Sequence, residues 1–142
     1  MAAAFGALPI NGAKGDAVIQ IRDLTGGRGV DVALELIGLP STMQQAVRCL
    51  GIQGRAALAG ITEKSFEIAP YAELLNKEAE LIGVSDHLGT EIQQLISWVK
   101  QGKLDLSKII TTRIPLEPQA VNDALDRLEN LKESGRTVIK ME

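Results

Sequence analysis

Aromatic side chains are scarce in this chain: one Trp, one Tyr and two Phe, 3% of 142 residues. So few rings leave little surface on which nucleic-acid bases could stack. Positive charge is not in excess either. Fifteen Lys and Arg face 18 Asp and Glu, for a net charge of −3, whereas a nucleic-acid footprint needs clustered positive charge. Cys49 is the single cysteine and His87 the single histidine. An intrachain disulfide is therefore excluded, and so is a zinc site assembled from several Cys and His ligands. No run approaches the roughly 20 apolar residues of a membrane span. The start, Met1-Ala2-Ala3-Ala4-Phe5, has neither the basic region nor the long apolar region of a signal peptide. The expectation is a soluble, cytoplasmic protein with no nucleic-acid and no membrane partner. The 45% hydrophobic and 23% charged residues are ordinary for a globular domain.

A second absence is more pointed. Apolar segments alternate with amphipathic ones, as in a nucleotide-binding α/β domain, yet no G-x-G-x-x-G stands between a first strand and a first helix. That motif lets backbone N–H groups approach a pyrophosphate. Gly26-Gly27-Arg28-Gly29 follows a helix and precedes a strand, which is the opposite polarity. Either a nucleotide site is made differently here, or the chain is the later part of a domain whose opening unit is missing.

Residues 7–11 read as a short edge strand, since Pro9 is tolerated only at an edge or a strand start. Asp16 is placed to cap a helix carrying Val18, Ile21, Arg22 and Leu24, stopped by Gly26-Gly27. Residues 30–37 form an apolar, β-branched strand. Ser41 is expected to cap the next helix, with Met43, Ala46, Val47 and Leu50 inward and Gly51 and Gly54 ending it. Residues 55–60 and 81–85 are further buried strands, with a short helix over 70–77 between them. Thr90 is expected to cap a helix containing Ile92, Leu95, Ile96 and Val99, ended by Gly102. A strand over 109–114 follows, then a helix opened by Pro118 with Val121, Ala124, Leu125, Leu128 and Leu131 on one face. Residues 137–140 form a terminal strand. Strands alternating with helices imply a parallel sheet. The predicted fold class is α/β: an incomplete Rossmann-type parallel sheet, its second half, with an appended C-terminal β-α-β unit. It is read as one partial domain over 1–142, with a core over 5–102 and a return segment over 103–142.

Several phrases together resemble the medium-chain dehydrogenase/reductase family, the zinc-type alcohol dehydrogenases and their quinone-reductase relatives. Phe5-Gly6-Ala7 followed by Ile10-Asn11 is similar to that family's "GA…VIN". Thr25 through Glu35 resembles "TGGRGVDVVLE", and Gly54 through Gly60 resembles "GGRVVLVG". Leu81-Ile82-Gly83 matches its "IxG". Ser134 through Lys140 matches its "GKxVLK" ends. Their order and spacing carry the resemblance. It implies the C-terminal part of a cofactor-binding domain, without the metal-holding catalytic domain, the glycine motif and the residue that selects NAD or NADP.

In an open parallel sheet, ligands bind beyond the carboxyl ends of the strands. That rule picks out Leu36, Ile37 and Gly38; then Ala59, Gly60 and Ile61; then Val84, Ser85 and Asp86. The resemblance implies that the first loop lies beside the nicotinamide ring and offers a carbonyl to its carboxamide, and that the third supplies backbone contacts. Each can also be read as a plain strand end or tight turn. The resemblance implies a pyrophosphate contact from Arg136, which is otherwise a solvated arginine. Glu35, in a buried strand, needs a polar partner and is read as structural. His87 is read as an exposed loop residue, and Cys49 as a small buried one.

NAD(P) is thus the implied cofactor. Zinc belongs to the parent family but finds no site in this chain. The implied chemistry is hydride transfer to or from an alcohol, aldehyde, ketone or quinone, with no catalytic residue assigned here, and no dehydrogenase activity and at most weak dinucleotide affinity expected of the chain alone. A non-catalytic oligomeric scaffold and a weak nucleotide-binding module are the alternatives. Without the strands that should lie beside it, strand 30–37 becomes an exposed edge. Such an edge seeks a partner strand, so self-association is expected, through this edge or through strand 81–85, with the missing N-terminal part of the parent enzyme as a further partner.

Overall fold

The computed structural model describes residues 2–130, 132–133 and 135–141. Leu131 and Ser134, assigned above to the last helix and to the closing phrase, lie outside the described residues. The chain forms two compact units. One is Leu8–Asp86. The other joins the segment up to Ala7 with the chain from His87 onward. The helix over residues 89–100 belongs with the second unit.

The first unit is built from α1 (Ala17–Leu24), β1 (Val30–Glu35), α2 (Pro40–Arg48), β2 (Leu50–Leu58) and β3 (Glu80–Gly83). The three strands make one parallel sheet in the order β1-β2-β3, with Ala33 opposite Ala56 and Ala57 opposite Ile82. The Asp16 carboxylate caps α1, accepting from the N–H of Val18 at 2.7 Å and of Ile19 at 3.3 Å. The core forms where α2 covers the sheet. Met43, Ala46 and Val47 recur at the three- and four-residue spacing that keeps side chains on one helix face, and all three are buried. Val47 and Leu50 are fully enclosed beside Ala46 and Ala56, with Phe66, Ile68 and Leu74 packed around them.

Several expectations fail here. Residues 7–11 are not a strand. They lie between 3-10 turns at Ala2–Phe5 and Gly12–Lys14, and no strand pairs with them. Ser41 does not cap α2. Leu39 holds that position and Pro40 opens the helix, which suits a residue with fixed φ and no N–H to leave unsatisfied. Gly51 and Gly54 do not end a helix. They lie inside β2, at an irregularity where the partner of β1 steps from Leu50 opposite Val30 to Arg55 opposite Val32, with Gln53 at φ +57°. The helix over 70–77 is two unlike turns, a π turn at Pro70–Leu74 and a 3-10 turn at Leu75–Lys77.

The second unit contains α3 (Gly89–Lys100), β4 (Ile110–Pro115), α4 (Pro118–Glu129) and β5 (Arg136–Lys140). β4 and β5 pair in parallel, with Arg113 opposite Val138, so the expected β-α-β unit is present. Thr90 lies inside the first turn of α3 and does not cap it. The Glu91 carboxylate reaches back to the Leu88 N–H at 2.7 Å. Among the described residues, no helix is long and apolar enough to cross a membrane.

Candidate functional site

Glu35 ends β1, and its carboxylate organises everything that follows. The side chain is only 3% exposed. Oε1 accepts from the N–H of Ile37 at 3.0 Å and of Gly38 at 3.0 Å. The Thr42 hydroxyl lies 2.7 Å from the same oxygen and 2.9 Å from the Leu39 carbonyl. Its single proton goes to the nearer, charged acceptor. These bonds turn the chain off the strand, which is why β1 stops at Glu35 and does not run to Ile37. They also set the carboxylate against the first turn of α2, where negative charge is favoured. Burial opposes ionisation. The Thr42 hydroxyl and the amides of Gly38 and Ile37 outweigh it and hold the carboxyl below its ordinary value.

The loop after β2 locks onto the same point. The Glu35 carbonyl accepts from Ala59 N–H at 2.8 Å and Gly60 N–H at 3.1 Å. Gly60 has no room for a side chain. A Cβ there would stand 2.6 Å from Glu35 Oε2 and 2.7 Å from Gly38 Cα, and closer still to the Gly38 nitrogen. The space at Gly60 is thus filled by the chain's own Gly38 and Glu35. Gly38, at φ +84°, is pressed in turn against the Ile61 backbone. At the next strand end, the Val84 N–H donates to the Leu58 carbonyl at 2.9 Å.

The loops 36–38, 59–61 and 84–86 therefore follow adjacent strand ends of one sheet. Leu36, Ile37 and Val84 are exposed, and Ile61 is 97% exposed. The amides of Ile37, Gly38, Ala59, Gly60 and Val84 are consumed within the protein, so these five are not available to cradle an anion. The crest carries the aliphatic side chains of Leu36, Ile37, Ile61 and Val84 together with the polar Ser85 and Asp86.

Arg136 opens β5 in the second unit, its N–H donating to the Ile109 carbonyl at 2.7 Å and its side chain exposed. His87 is exposed and belongs to the second unit. Cys49 is buried, with Sγ 3.3 Å from the Ala46 carbonyl. Asp31 and Glu35 differ despite their four-residue spacing: Asp31 is exposed and paired with Arg28. Glu133 lies beyond α4, with its side chain 11% exposed and 2.5 Å from Arg127 Nε. Thr42 was the residue that the sequence did not single out. A hydroxyl just inside a helix, seven residues after a strand carboxylate, was the available signal.

Among the described residues, no three His, Cys, Asp or Glu side chains converge as metal ligands. The exposed aliphatic side chains of Leu36, Ile37 and Ile61 at the crest suit an apolar ring face.

A family model described as zinc-binding dehydrogenase matches residues 1–101. The chain belongs to the zinc-binding dehydrogenase family. It corresponds to the C-terminal part of the cofactor-binding domain of these zinc-type medium-chain enzymes. (R,R)-butanediol dehydrogenase of Bacillus subtilis is 32% identical over 114 residues, covering 80% of this chain and 32% of that protein. L-threonine 3-dehydrogenase of Thermococcus kodakarensis is 31% identical over 103 residues, covering 72% of this chain and 29% of that protein. The crystal structure of 2R,3R-butanediol dehydrogenase from Bacillus subtilis matches with a TM-score of 0.85 at 27% identity, covering 99% of this chain and 40% of that one. The zinc-binding dehydrogenase chain described here thus spans 29–32% of the length of these curated relatives.

Proposed function

We propose that this chain contributes the nicotinamide-side half of an NAD(P) site to a dehydrogenase acting on an alcohol. The observation that supports this reading is the apolar crest at three adjacent strand ends, with the amides of Ile37, Gly38, Ala59, Gly60 and Val84 engaged internally and so not offered to a phosphate. A carboxamide brings both N–H donors and a carbonyl acceptor, and we assign it to the backbone of these loops. Leu36, Ile37 and Ile61 give the ring an apolar floor. The names of the butanediol and threonine dehydrogenases agree with an alcohol as substrate. Once bound, the nicotinamide supplies the hydride acceptor. The protein's part is to orient the ring and keep water from its face.

The test is titration of the chain with NADH, followed by nicotinamide fluorescence and by amide shifts at Ile37, Gly38 and Val84. Saturable binding with shifts confined to these loops is the expected result. Absence of binding at millimolar NADH would remove the reading.

A second reading, association through β1, has its own observation. Among the described residues, β1 pairs on one side only. Val32 and Leu34 on it are 57% and 68% exposed, and Ala17, Ile21, Ala46 and Cys49 line a groove of about 520 Å³ beside them. An open apolar edge of this kind recruits another strand. We assign it to pairing with the amino-terminal part of a complete dehydrogenase or with a second copy.

A further inference from the structure

Glu35 is the one acidic side chain that is buried among the described residues. Its known bonds go to the loop after its own strand, to α2 and, through the packing at Gly60, to the loop after β2. A carboxylate used only to end a strand would not need to touch three elements. An apolar residue of similar size at this position would leave the Ile37 and Gly38 amides without acceptors, and would free them to point at whatever lies above the sheet.

We propose that Glu35 is a positioning residue for the nicotinamide end of the cofactor: it joins the loops after β1 and β2 into one preformed crest and holds the Ile37 and Gly38 amides on its own carboxylate. The inference rests on the nicotinamide reading given above. Two consequences follow from the geometry. With the carboxylate in place, Ile37 and Gly38 are held before ligand arrives, so little ordering cost remains at binding. In Glu35→Gln, one oxygen is replaced by an NH₂ group that faces N–H donors. Gly38, whose amide lies 3.0 Å from Oε1 and 3.2 Å from Oε2, loses its acceptor or competes for the remaining one. The loop is then no longer held before ligand arrives.

The experiment compares the full chain with Glu35→Gln, Glu35→Asp and Thr42→Val. Amide hydrogen exchange is read at Ile37 and Gly38, with Ala57 in the middle of the sheet as reference. Binding is read with two probes, reduced nicotinamide mononucleotide and ADP-ribose. In Glu35→Gln, exchange at Ile37 and Gly38 is expected to rise at least about tenfold, the scale of one lost bond to a charged group, while Ala57 is unchanged. Affinity for the mononucleotide is expected to fall about tenfold, with that for ADP-ribose preserved. Thr42→Val, which removes the hydroxyl and keeps the backbone bonds, is expected to show a smaller change in the same direction. Glu35→Asp is expected to recover part of both effects. Equal loss of both probes, or a fall in melting temperature with no selective change at Ile37 and Gly38, would show a merely structural carboxylate and overturn the proposal. Unaltered mononucleotide binding in Glu35→Gln would overturn it alone. A wild-type chain with protected Ile37 and Gly38 amides that binds no mononucleotide would instead end the nicotinamide reading on which it rests.

Discussion

Replacing Gly60 by Ala adds one methyl group at the tightest place in the molecule. That methyl would stand 2.7 Å from Gly38 Cα and 2.6 Å from Glu35 Oε2. An ordinary carbon–carbon contact is about 3.5–4.0 Å, so the 36–38 loop must retreat by about 1 Å. Neither neighbour can yield cheaply. Gly38 is backbone, and Glu35 Oε2 is the far end of a side chain whose other oxygen holds three donors. Overpacking costs about 1–3 kcal/mol, and a retreat of this size also weakens hydrogen bonds to a charged acceptor, about 1.5–3 kcal/mol for one lost outright. The two effects share the same atoms and do not add fully, so the expected loss is about 3 kcal/mol. For a chain of this size that corresponds to a fall in melting temperature of about 6–12 °C. Gly83→Ala is the matched control. It also lies at a strand end of the same sheet, and a Cβ there meets nothing within 4 Å. Its effect is expected to stay within about 0.5 kcal/mol. Thermal and urea unfolding followed by far-ultraviolet circular dichroism measures both. Equal stability of the two variants would refute the close packing of the two loops.

Leu50→Ala empties a fully enclosed position beside Val47 and Ala56 and is expected to cost about 2–5 kcal/mol, measured by urea titration; a loss below about 1 kcal/mol would contradict that burial. Stability should also fall in acid. The carboxyls of Glu35 and Glu73 both lie below their ordinary value of 4.5 in the folded chain: for Glu35, Thr42, Gly38 and Ile37 outweigh burial; for Glu73, the Ala69 amide, Arg48 and Lys77 do. A carboxyl lowered by folding adds stability that is fully present above its unfolded value and is lost as pH falls through its folded value. Urea midpoints should therefore hold steady from neutral pH to about pH 5 and drop below about pH 4. Glu35→Gln should flatten part of that drop, and an acid limb identical to wild type would argue against an ionised Glu35.

Local chemistry alone fixed much of this protein. The Asp16 cap, the apolar stripe of Met43, Ala46 and Val47, and the β-branched run from Val30 are decided within a few residues, and each is visible as spacing. The resemblance to zinc-type dehydrogenases rested on such short phrases, and the match over residues 1–101 bears it out. The open edge at Val32 and Leu34 also followed, because a sheet read without its central strands must present one. What the sequence misplaced were boundaries set by partners far along the chain. Residues 7–11 have the composition of a strand but find no neighbour, and a strand exists only by pairing. Gly51 and Gly54 look like helix breakers, yet β1 supplies an adjacent strand and they become an irregularity inside β2. The crest was legible as three loops and no more. Its character came from the meeting of Glu35, Thr42 and Gly60 across three elements. A carboxylate's environment is made by whichever groups the fold brings within about 3 Å of it, and no spacing along the chain records that.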